Sequence, residues 1–65
     1  MSQREMNILW LRDILGHLAS SQKQLEWAED PETVRLLTEN MLRDLGRCQR
    51  LCEALRRRSD LAAAL

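Results

Sequence analysis

Cys48 and Cys52 stand one helical turn apart in Cys48-Gln49-Arg50-Leu51-Cys52, and His17 is the only histidine. Two thiolates on one helix face could hold a soft ion such as Cu(I) or zinc if a second chain completed the shell. Their Cβ atoms, about 6 Å apart on a helix, are too distant for the roughly 3.5–4.5 Å of an unstrained disulfide. Reduced thiols follow, and a free cysteine usually serves as a small buried hydrophobe. His17 falls about a turn and a half from Cys48 across a hairpin and does not clearly join such a site, so neither a metal nor another cofactor is expected.

Glu26, Glu29, Asp30 and Glu32 offer paired carboxylates for acid–base work, but they flank a turn where capping and solvation account for each. No glycine-rich phosphate loop is present. Gly16 and Gly46 each stand inside a helical pattern, at a cost of about 1 kcal/mol relative to alanine, and close helix approach is the expected reason. The chain therefore reads as non-enzymatic. Arg43, Arg47 and Arg50 recur at three-to-four spacing and could form an RNA-facing ridge. A solvated face with bridges such as Glu39 to Arg43 explains them with fewer assumptions. The ten basic and ten acidic residues cancel, which removes the global positive field of most nucleic-acid binders. Trp10 and Trp27 are the only aromatic residues, and such side chains frequently anchor interfaces.

These residues must be positioned by helices. The 65-residue chain lacks Tyr and Phe, has Pro31 as its one proline and is rich in Leu, Ala, Arg, Glu and Gln, so strands have little to be built from. Ser2-Gln3-Arg4-Glu5 has the form of a capping box. Apolar residues then recur at Ile8, Leu11, Leu15, Leu18 and Leu25, with Gln22 interrupting the seam, which predicts helix 1 over about 3–28. In Glu29-Asp30-Pro31-Glu32, Asp30 can cap a new helix and Pro31 suits its first position, placing the turn at about 29–30. Val34, Leu37, Met41, Leu45, Cys48, Leu51 or Cys52, and Leu55 continue the alternation, predicting helix 2 over about 31–58 and a frayed tail or short extra turn over 59–65. The expected hairpin core is Leu11, Leu15, Leu18, Met41, Leu45 and Cys48.

The fold expected is a single all-α domain: an antiparallel two-helix hairpin, coiled-coil-like, completing a four-helix bundle with itself or with a partner. A chain this short buries too little surface to stand comfortably alone. Trp10, Ile14, Trp27, Leu36 and Leu42 lie beyond the predicted seam and are the candidate partner-binding residues. The acidic turn and the basic open end would meet if two hairpins paired antiparallel. Reduced thiols, the lack of a signal-peptide pattern and the lack of an apolar run of membrane-spanning length predict a cytoplasmic protein with no membrane span.

The pattern from Leu11 to Leu55, with Ala28-Glu29-Asp30-Pro31 leading into Val34, Leu37, Leu45, Leu51 and Leu55, resembles the small co-chaperones of the type III secretion needle subunit. That resemblance implies a helical protein partner, a tetratricopeptide-like chaperone, with which the hairpin would keep a needle subunit unpolymerised. The length, the short turn and the opening Met1-Ser2 followed by Glu5 are also similar to the Rop-type plasmid RNA regulators, which implies the alternative of a homodimeric RNA-binding regulator. Helix 1 carries Trp10, Ile14, Leu18 and Leu25 where that family's RNA-reading face is polar and basic. Protein–protein association, as a co-chaperone or adaptor, is thus the function expected first.

Overall fold

The computed structural model describes the backbone of residues 2–64 and the side chains of residues 2–57. Two helices, α1 (Gln3–Trp27) and α2 (Pro31–Ala64), pack against each other as an antiparallel hairpin, and no strand occurs among the described residues.

Local chemistry sets the ends. The Ser2 hydroxyl accepts from the Glu5 N–H at 3.1 Å, and the Met6 N–H donates to the Ser2 carbonyl at 3.0 Å, satisfying donors that a helix start leaves open. α1 stops where Ala28 turns to an extended backbone, its N–H donating to the Leu25 carbonyl. Asp30 caps α2: its carboxylate accepts from the Thr33 N–H at 3.0 Å and from the Thr33 hydroxyl at 2.7 Å. Those hydrogen bonds, the hydroxyl's first, hold the Asp30 carboxyl below the usual aspartate range. On the exposed side of the first turns Arg35 pairs with Glu32 and Glu39, which raises its guanidinium pKa, Glu32 contributing more. Glu39 therefore bridges to Arg35, and Arg43 hydrogen-bonds Asn40 instead.

α2 does not break at Ser59-Asp60, where the sequence predicts its end; the helix continues to Ala64. Serine and aspartate inside a helix cost only a few tenths of a kcal/mol each, and the three alanines that follow are the strongest helix formers. Met1 and Leu65 lie outside the described residues.

The helices meet along two uninterrupted three-four alternations. On α1 the alternation runs through Asn7, Leu11, Ile14, Leu18, Ser21, Leu25 and, at its cap, Ala28, and on α2 through Val34, Leu37, Met41, Asp44, Cys48, Leu51 and Leu55, all buried or half-buried; Met6, Leu9, Thr38, Gly46 and Ala54 are half-buried outside it. The phase differs from the expected one. Ile14 is buried to 5% exposure and Asp44 is buried with it, whereas Leu15 and Leu45, both expected in the core, are 53% and 51% exposed. Ser21, not Gln22, carries the α1 seam. Ile14 and Cys48 are the only buried apolar side chains among the described residues, so the core is a thin stripe through a molecule of 53 × 19 × 13 Å.

Candidate functional site

The seam divides the hairpin surface into two sides. His17 Nδ1 reaches across to Asp44 Oδ2 at 3.4 Å, and an Arg47 nitrogen stands 3.8 Å from the other carboxylate oxygen. Trp10 and His17 share one shallow hollow with Arg47, and Trp10 shares another with Arg47 and Arg50. A third joins His17 and Gln24 to Asn40 and Arg43. Positions 10, 17 and 24 of α1 and 40, 43, 47 and 50 of α2 therefore occupy one side, which is polar and basic. With about 100° between successive residues, positions 8, 15 and 22 of α1 and 38, 45 and 52 of α2 must occupy the other.

That second side is largely apolar, with Gln22 as its polar member on α1, donating to Glu26 at 2.7 Å. Ile8, Leu15, Leu45 and Leu42 are all exposed, Leu42 to 68%. Ala19 and Cys52 extend the same surface and are exposed too. Thr38 sits at its turn-proximal edge with the hydroxyl folded back onto the Val34 and Arg35 carbonyls at 2.8 and 3.0 Å, so its polar atom is already satisfied.

The five residues expected to contact a partner are dispersed. Leu42 lies on the apolar face. Trp10 is on the basic side, and Leu36, seven residues before Arg43, falls on the same stripe as that arginine. Trp27 stands by the turn, 83% exposed, beside a hollow lined by Lys23, Ala28 and Asp30 among others. Ile14, expected beyond the seam, packs inside it at 5% exposure and forms the floor of the hollow it shares with Trp10, His17 and Arg47. Ile8, Leu15 and Leu45 take its place, displaced outward by the one-residue phase difference. The signal is present in the sequence, because 7-11-14-18-21-25-28 is an unbroken three-four alternation that shares Leu11, Leu18 and Leu25 with the more apolar one.

Neither glycine is a point of close approach. A methyl group at Gly16 would meet nothing within 4 Å, and at Gly46 only the tip of Arg50 at 3.9 Å. Cys48 is buried in the seam and Cys52 is exposed on the apolar side, both as free thiols. Among the described residues no three His, Cys, Asp or Glu side chains gather as metal ligands, and no helix is long and apolar enough to cross a membrane. Every buried side-chain nitrogen and oxygen among them has a hydrogen-bond partner; the Asn7 amide oxygen, for instance, accepts from Gln3 at 2.9 Å. Comparison with protein-family models, with curated proteins and with solved structures finds no match for the chain.

Proposed function

We propose that the hairpin is a helix-docking module, non-enzymatic, whose apolar face of Ile8, Leu15, Leu42 and Leu45 is covered by helices of another polypeptide. The observation that carries this reading is the inversion of burial. Four large aliphatic side chains face outward while Asn7 and Asp44 are buried. Covering the part of those aliphatics still exposed, about half of each, contributes about 1 kcal/mol apiece, in sum a sizeable share of the whole stability of a domain this small. A partner helix recovers that energy, whereas water does not.

In its most concrete form the module is a cytoplasmic co-chaperone or adaptor for a helical subunit that would otherwise polymerise, as the likeness to the needle-subunit co-chaperones implies. The apolar face would then cover the helices of a tetratricopeptide-like chaperone or of the subunit itself. The test is to mix the purified hairpin with a needle subunit and its chaperone and to follow polymer growth by light scattering. Growth should be suppressed by the unaltered chain and restored by Leu42→Asp, with circular dichroism showing the helices intact. Equal suppression by Leu42→Asp, or none by the unaltered chain, would refute the co-chaperone reading.

A further inference from the structure

We infer that a second copy of this chain covers the apolar face, running antiparallel, with a two-fold axis passing between the two Leu15 side chains and between the two Leu45 side chains. The inference rests on the docking face described above and names its occupant in the free protein, a copy that the helices of a chaperone or subunit would have to displace.

Surface area supports it. A compact protein of 7.6 kDa exposes about 4,300 Å², whereas this chain exposes 5323 Å². The excess, about 1,000 Å², is close to the roughly 800 Å² that each partner contributes to a stable interface.

Charge and register fix the orientation. Leu15 and Leu45 stand at nearly the same height, each about 22 Å from the turn at 1.5 Å per residue. Arg4 lies eleven residues before Leu15 and Glu26 eleven residues after it, and eleven residues make three turns, so all three share one stripe. Both charged side chains are exposed. When two copies of α1 cross antiparallel at Leu15, Arg4 of each comes level with Glu26 of the other, about 16 Å on either side of the axis. Two complementary pairs thus close the ends of the apolar strip, Glu26 keeping one oxygen for Gln22 of its own helix and offering the other to Arg4. On α2 the same operation sets Leu45 against Leu45 and brings the exposed Arg56 toward the other copy's turn, with Glu32 and Asp30. Cys52 comes over Thr38, whose hydroxyl is already satisfied on its own helix.

The alternative of two turns at the same end lays α1 of one copy over α2 of the other. It sets Arg4 against Arg56 and Glu26 near Glu29 and Glu32, which like-charge repulsion disfavours. The antiparallel arrangement is a closed four-helix bundle that uses the Leu15 and Leu45 face of both copies, leaving Trp10, Leu36 and Trp27 outside the contact.

The mass of the full chain by sedimentation equilibrium tests this across a dilution series. The expected result is a species of twice 7.6 kDa that Leu45→Asp converts to monomer. Because an aspartate can also unsettle a small fold, charge reversal gives a milder check. Arg4→Glu and Glu26→Arg should each weaken the dimer about ten-fold, and the two together should restore it to within about two-fold. Orientation is read from Leu45→Cys in a Cys52→Ser background, which should form a disulfide-linked dimer under mild oxidation while Cys52→Ser alone should not. A dimer that Leu45→Asp leaves intact, or one in which Leu45→Cys fails to cross-link, overturns the inference. So does a monomer at every concentration. A monomer that binds a hydrophobic dye in a manner Leu45→Asp abolishes would remove the second copy but leave the docking reading standing; a monomer with no dye response would remove both.

Discussion

Two adjacent residues, Ile14 and Leu15, separate the folding of the hairpin from what covers it. Ile14 is 5% exposed, and its truncation to alanine leaves a void in the thin seam. That change costs about 2–4 kcal/mol, against a total of about 3–10 kcal/mol for 65 residues. A loss of about 2 kcal/mol lowers the thermal midpoint of a domain this size by about 10 °C. Leu15 already shows half its surface to solvent, so Leu15→Ala costs the isolated hairpin about 1 kcal/mol. Its further cost appears only when the outer face is covered. Thermal and urea unfolding followed by circular dichroism, in dilute and concentrated samples, checks both. Ile14→Ala should be strongly destabilised at either concentration. Leu15→Ala should be close to the unaltered chain when dilute and fall behind it when concentrated. A dilute sample in which Leu15→Ala is the more damaging change would place the seam at positions 8, 15 and 22 and refute the division of the surface into a basic and an apolar side.

Gly16→Ala, where the added methyl meets open space, should raise stability by about 0.5–1 kcal/mol in urea titration. The Asp30 carboxyl is held below its ordinary range by Thr33, so the stability it contributes is fully present above the unfolded value of about 3.9 and is lost as pH falls through the lowered folded value. Asp30→Ala should lower the thermal midpoint at neutral pH and flatten the acid limb of the stability profile, with Asn restoring the midpoint but not the pH dependence. Asp44→Leu replaces a buried carboxylate, whose His17 partner is mostly exposed, by a side chain that fills the seam. It should raise the midpoint by an amount equivalent to about 1–3 kcal/mol; a lower midpoint would mean that the His17 bridge outweighs desolvation.

The parts legible in the sequence are those decided by neighbours along the chain. Ser2 and Asp30 cap because a side-chain oxygen reaches a backbone N–H three residues on, whatever the rest of the protein does. Pro31 marks the start of α2 for a similar reason. The phase of the seam depends instead on the opposite helix. Leu11, Leu18 and Leu25 are common to both phases of α1, and the choice lies between Ile8 with Leu15 and Asn7 with Ile14 and Ser21. Apolar content alone selects the first. The structure adopts the second, and α2 makes the same exchange, Asp44 for Leu45. Choosing the most apolar stripe presumes that the narrow seam between two helices is where the apolar residues belong, and for a chain this short the larger apolar surface faces outward. The end of α2 escapes a reading by composition for a different reason: Ser59-Asp60 resembles a cap, yet neither residue forbids helix, and the alanines beyond favour it.

The polar residues inside the seam have a consequence for association as well as for stability. With only Ala28 to Asp30 between them, the two helices cannot slide by a heptad without unwinding one of them, so the connection sets the register first. Asp44 reaches His17 on the opposite helix in this register, while its Arg47 contact lies within α2 and does not depend on register. Asn7, bonded to Gln3 on its own helix, and Ser21 occupy seam positions that leucine could have filled. Those substitutions hold back apolar contact within the hairpin while Ile8, Leu15, Leu42 and Leu45 offer it outside. A chain that keeps polar side chains in its seam and presents its aliphatic ones outward is most stable when that outer face is covered, and its folding and its association are linked by mass action.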